Sequence, residues 1–206
     1  MKKIHLEIVV FFCGAVVMAY EIVGSRMLGP YVGTSYPVWT AIIGIILTSL
    51  SAGYYIGGKY ADRKPRILIL SWIILLAGLY MLLAVVIKDM LLAFLLNTVQ
   101  NLNWVSILSS ILLFSVPSLL LGMVSPFAAR LKISSVQSSG RTVGNLYALS
   151  TFGSIIGVFL AGFFLIPTFR ISIILIIFSV VLISISLFLN LVLRIPLKQS
   201  FNELKK

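Results

Sequence analysis

This sequence has little acid and almost no histidine or cysteine: of 206 residues only five are Asp or Glu, one is His and one is Cys. A single cysteine excludes an intrachain disulfide framework and any cysteine-built metal site. One histidine and so few acids leave no metal-ligand or nucleophile–base constellation, and there is no Walker loop, no Gly-x-Ser-x-Gly and no dinucleotide-binding glycine fingerprint. Neither a metal nor a cofactor is expected, and catalysis by familiar side-chain chemistry is not expected of this chain. What the sequence has instead is apolar length. It is 60% hydrophobic and 10% charged, with mean hydropathy +1.14, where a soluble domain is roughly 45–50% apolar and about 25% charged. No water-soluble core of this size hides that much apolar surface. The chain reads as an integral membrane protein.

A spanning helix needs about 20 mostly apolar residues. Six stretches qualify: 6–23, 38–58, 67–87, 105–126, 143–166 and 171–193. Long unbroken apolar runs favour helices over barrel strands, because backbone groups find no water in hydrocarbon. The expected fold is thus one all-α transmembrane domain of six helices with a basic tail at 194–206. A further apolar piece at 90–99 is too short to span and reads as interfacial or re-entrant. Met1-Lys2-Lys3 before an apolar run resembles a signal peptide, but without a small-x-small cleavage site it reads as the first span. His5 beside the lysines reads as interfacial and Cys13 as a small packed residue.

Sixteen Lys and Arg give a net charge of +11. With the N-terminus inside, the inner segments hold Lys2, Lys3, Lys59, Arg63, Lys64, Arg66, Arg130, Lys132, Arg141, Arg194, Lys198, Lys205 and Lys206, and the outer ones Arg26, Lys88 and Arg170. That is 13 against 3, which predicts both termini cytoplasmic in a cell (plasma or inner) membrane. The same bias removes the need for a nucleic-acid partner and favours anionic headgroups on the inner leaflet.

Small residues let membrane helices approach closely. Ser49, Gly53, Gly57 and Ala61 recur every four residues in the second span, and Gly153, Gly157 and Ala161 do so in the fifth. They read as packing stripes within one bundle, with a dimer seam as the alternative. Pro117 and Pro126 interrupt the fourth span, each freeing backbone carbonyls or kinking the helix.

Glu21 lies within the first span, where a carboxylate costs about 2.5–3.5 kcal/mol on insertion scales. It reads either as a cation- or proton-binding carboxylate reached from outside, or as a structural partner of Arg26 or an interfacial group. Closing the second span, Gly58, Asp62, Arg63 and Arg66 form Gly-x-x-x-Asp-Arg-x-x-Arg. Asp62 there can accept hydrogen bonds from a neighbouring helix N-terminus while the arginines anchor to phosphates or helix C-termini. This spacing resembles the loop between the second and third helices of major facilitator transporters, where it acts as a conformational latch.

Three stretches carry a wider resemblance. They are Gly14-Ala15 through Tyr20-Glu21-Ile22-Val23-Gly24-Ser25-Arg26-Met27-Leu28, then Gly53-Tyr54-Tyr55-Ile56-Gly57-Gly58-Lys59-Tyr60-Ala61-Asp62-Arg63, and Gly140 through Gly157 with Gly144-Asn145-Leu146-Tyr147 and Gly153-Ser154 inside it. In this order they resemble the transmembrane domain of membrane-bound spermidine-synthase-like proteins, some described as fused to major-facilitator-like spans. The resemblance implies half of a major-facilitator fold, working as a homodimer or with a related membrane protein. It implies transport of a small, polyamine-like cation, with Glu21, Arg26 and Tyr20 binding it and Gly58, Asp62, Arg63 and Arg66 as the inner gate. The sequence ends at Lys206 with no aminopropyltransferase domain, so a second expectation is a membrane anchor for a separate soluble aminopropyltransferase-like enzyme, docked on 130–141 and 194–206. Reporter fusions at residues 1 and 206 are expected to report the same compartment; opposite compartments would overturn the six-span reading.

Overall fold

A computed structural model describes residues 2–133 and 139–203, with side chains at 6–133 and 139–191. Of the described residues 93% are helical and none lies in a strand. Helices α1 (Lys2–Val32), α2 (Tyr36–Arg63) and α3 (Ile67–Thr98) are followed by α4 (Leu102–Gly122) and α5 (Val124–Lys132). Then come α6 (Ser139–Phe159), a π-helical turn (Leu160–Leu165), α7 (Ile166–Thr168) and α8 (Ile171–Glu203). Six of the resulting rods are long and apolar enough to cross a bilayer: Leu6–Val32, Tyr36–Arg63, Ile67–Thr98, Leu102–Lys132, Ser139–Thr168 and Ile171–Leu191. The protein is therefore a membrane-embedded, multi-pass helical bundle. The tail beyond residue 203 and His5's side chain lie outside the described residues.

The helices outrun the expected spans. The piece at 90–99 is neither a separate nor a re-entrant segment: it is the end of α3, where no proline breaks the hydrogen-bond ladder. At 1.5 Å per residue the 32 residues of α3 reach about 48 Å, beyond a hydrocarbon core of about 30 Å. Where a rod is interrupted, proline lies just downstream. Pro126 has no N–H for the Gly122 carbonyl and its ring crowds that oxygen. The chain breaks at Met123, whose N–H is shared between the Leu119 and Leu120 carbonyls, 3.2 Å from each. Pro167 does the same to Phe163, and the preceding turn widens so that the Ile166 N–H donates to the Ala161 carbonyl, five residues back. Gly33, at φ +80, ends α1 in a conformation that side chains resist.

The packing stripes are spent within the chain. A methyl group on Gly153 would strike the Phe11 carbonyl oxygen, and one on Gly157 the Ala15 carbonyl oxygen. On α2, a methyl at Gly53 would strike the Leu119 carbonyl oxygen and one at Gly57 the backbone of Met123. The reverse contacts also exist: Gly14 lies against the Ser150 carbonyl and Gly122 against the Leu50 carbonyl. Ser49, Ala61 and Ala161 are buried along the same stripes. Thus α1 packs on α6, and α2 on α4 and α5, each pair parallel and in van der Waals contact through its backbones. The third pair, α3 with α8, is antiparallel. Gly78 lies against the Ser179 carbonyl. Ser71 Oγ donates to the Ser186 carbonyl at 2.9 Å while Ser186 Oγ donates to the Ser71 carbonyl at 2.8 Å.

First span with fifth, second with fourth, third with sixth: exchanging the first three spans for the last three leaves this set unchanged. The detailed contacts follow. Gly53 on Leu119 and Gly57 on Met123 become Gly153 on Phe11 and Gly157 on Ala15, and Gly122 on Leu50 becomes Gly14 on Ser150. Three crossings are an odd number, so the two trios run in opposite senses, related as an inverted repeat.

Adding the missing methyl tests the seams. Gly53→Ala and Gly153→Ala are each expected to lower stability in detergent by about 1–3 kcal/mol through overpacking. Gly44→Ala and Gly162→Ala, which meet nothing within 4 Å, are expected to leave thermal unfolding unchanged or raise it slightly.

Candidate functional site

The two innermost spans, α1 and α4–α5, hold the buried polar groups that the bundle leaves unsatisfied. Among the described residues these are Glu21 Oε2, Ser110 Oγ and Ser118 Oγ. Glu21 is 9% exposed. Its expected structural partner does not engage it: Arg26 is exposed and forms no ion pair with it. The other acids with described side chains are all paired, Glu7 with Lys132, Asp62 with Arg130 and Asp89 with Lys88. Glu21 is the exception, a carboxylate in an apolar medium with no cation against it.

Its neighbour Tyr20 has a structural task. Pro117 lacks the N–H that would bond the Leu113 carbonyl four residues back. Tyr20 Oη donates to that carbonyl at 2.9 Å, and its ring meets Phe114 edge-on at 5.1 Å. With Tyr20 1% exposed, its hydroxyl is fully occupied. Successive helix residues point about 100° apart, so Tyr20 facing α4 turns Glu21 onto a different side of α1.

Gly14, Val17 and Met18, on that side of α1 one to two turns before Glu21, line a cleft with Tyr54, Ser125, Ser150 and Ser154, and Glu21 lies beyond its lining. Here α1, α2, α5 and α6 converge. Ser154 Oγ donates to the Gly14 carbonyl at 3.1 Å and the Ser150 carbonyl at 3.0 Å, and Cys13 forms part of the wall. The cleft holds about 60 Å³. That admits water but falls well short of the roughly 300–1,000 Å³ of a small-molecule pocket. A single copy therefore does not enclose an organic cation here.

At the end of the bundle that carries the α2–α3 turn, α5 is tied to two helices. Arg130 Nε lies 3.0 Å from Asp62 Oδ1 at the end of α2. Lys132, its side chain only 10% exposed, binds Glu7 of α1. Of the expected gate, Gly58 sits beside Pro126 and Asp62 is held by Arg130, not by a helix N-terminus. Arg63 and Arg66 are exposed. Sequence reasoning missed Arg130, Lys132 and Glu7 as clamp residues. Charge alone marked the first two as topology signals, and their partners lie far away in sequence.

Among the described residues there is no group of His, Cys, Asp or Glu able to hold a metal ion. Compared with known protein families, curated proteins and solved structures, the chain matches none.

Removing the Tyr20 hydroxyl leaves the Leu113 carbonyl without a partner in a dry interior. Tyr20→Phe is expected to cost about 1–3 kcal/mol in detergent unfolding, and Pro117→Ala in the same background is expected to restore most of it by returning an N–H to that carbonyl.

Proposed function

We propose that the chain is one half of a transporter-type assembly that moves a small cation, with Glu21 as the carboxylate the cation or its proton meets. The observation that carries this reading is the unpartnered, nine-tenths buried Glu21 oxygen. A charged group held in a bilayer without a partner is costly, and such groups mark ion and proton pathways. The inverted repeat supports it, since transporter folds place their sites at the interface between repeats. Half of a major-facilitator fold is the architecture that this pairing and the Gly58–Arg66 motif suggest together.

The small cleft argues for two copies. A cation the size of a polyamine needs more room than about 60 Å³, and a second copy, or a related membrane protein, facing the first supplies the missing wall. Spans α2 and α6 are the natural meeting surfaces: α6 is the least buried span, and α2 exposes Thr40, Thr48 and Gly44 along an open groove. In this assembly Asp62 with Arg130 is the inner gate, and Tyr20 and Arg26 drop out of the binding set. The distribution of cations supports a reading with both termini in the cytoplasm and the protein in the cell membrane. The cargo proposed from the resemblance to spermidine-synthase-like proteins is polyamine-like. The rival role, an anchor for a soluble aminopropyltransferase-like enzyme, loses part of its docking surface, because Arg130 and Lys132 are turned to Asp62 and Glu7.

In proteoliposomes, labelled spermidine or a smaller organic cation is expected to accumulate with wild-type protein. Glu21→Gln is expected to reduce that uptake at least tenfold while leaving the melting temperature in place. Uptake that persists in Glu21→Gln would remove the carboxylate from the mechanism, and no uptake of any cation would favour the anchor.

A further inference from the structure

The turn between α2 and α3 carries Lys59, Arg63, Lys64 and Arg66, all exposed. Among the described residues none of the four has an acid partner. The only acid in the segment, Asp62, is taken by Arg130, so the exposed charge of the turn is uncompensated. The backbone adds to it. The Ile69 and Leu70 N–H groups donate to the Arg66 carbonyl, which leaves the Ile67 and Leu68 N–H groups ahead of the first acceptor at the positive end of a 32-residue helix. No side chain caps that end, and its first turn holds no acid.

The depth of the turn is marked as well. Tyr54, Tyr55 and Tyr60 are exposed along the last turns of α2, as aromatic side chains are at the headgroup level. Lys59 Nζ stands 5.9 Å from the centre of the Tyr55 ring. On the other side Leu68, 49% exposed, opens α3 with an apolar surface suited to an acyl chain. The arginines are not used on helix C-termini: the last carbonyl bond of α2, at Tyr60, is made by the Lys64 backbone N–H.

We propose that this turn seats the phosphate of an anionic lipid headgroup from the leaflet it faces. Arg63 and Arg66 supply planar donors for its oxygens, Lys64 adds charge, and the first N–H groups of α3 complete the anion's shell. Lys64–Arg66 is held compact by Pro65 and by the 2.8 Å bond from the Arg66 N–H to the Lys64 carbonyl, so little ordering is needed on binding. The seat is independent of any transport role for Glu21.

The test uses the full chain, with W39F and W104F leaving Trp72 near the turn as the donor, in phosphatidylcholine vesicles doped with fluorescent phosphatidylglycerol and read by energy transfer. Wild-type protein is expected to enrich the anionic lipid over fluorescent phosphatidylcholine. R63Q/K64Q/R66Q is expected to lose at least tenfold of that preference, each removed cation near the surface weakening binding several-fold. R63K/K64R/R66K, which keeps the charge, is expected to retain most of it, and Arg141→Gln, a cation elsewhere, all of it. Equal enrichment in the triple Gln variant would overturn the proposal. So would displacement of the lipid by millimolar inorganic phosphate, which would make this a free-phosphate site.

Discussion

Backbone touching backbone is the constraint from which the rest of this bundle follows. In hydrocarbon there is no hydrophobic force between helices, and cohesion comes from dispersion and complementary dipoles at short range. At Gly53, Gly57, Gly153 and Gly157 one helix has no side chain and the other presents its main chain, three times a carbonyl oxygen. Each seam draws two rods into a parallel pair. The two pairs then set the relation of the halves, because the same contacts recur on exchanging the first three spans for the last three.

The second constraint is that polar groups in such an interior must find partners. Serines bond back to carbonyls of their own helix, as Ser109 does to Val105 and Ser179 to Leu175. Tyr20 meets the carbonyl left by Pro117, and clamps of opposite charge close one end of the bundle at Glu7–Lys132 and Asp62–Arg130. Set against this near-complete satisfaction, the bare oxygen of Glu21 stands out more than its burial alone would suggest.

Much of the architecture was legible in the residues. Runs of apolar side chains locate all six rods, and glycine at every fourth position marks the faces that pack. Periodicity names a face but not what it meets, so the partner helices, the repeat and the direction of each seam emerge only in three dimensions. The end of α3 was misjudged for a local reason: Lys88-Asp89 looks like a break, yet a helix carries that pair at the interface without interruption. The bond of Tyr20 to the Leu113 carbonyl was not legible because the proline that frees that carbonyl lies ninety-seven positions away in sequence, and the clamp residues were missed for the same reason. Glu21 was singled out on cost alone, and it is the one candidate whose surroundings keep the question of its role alive.

The reciprocal serine bridge between α3 and α8 has a special standing. It joins α3 and α8, the third and sixth spans, which the exchange of halves returns to each other, and it does so through two hydroxyls that each donate across the seam. Sliding α3 along α8 would break both hydrogen bonds together, so the bridge pins the register of these two antiparallel rods.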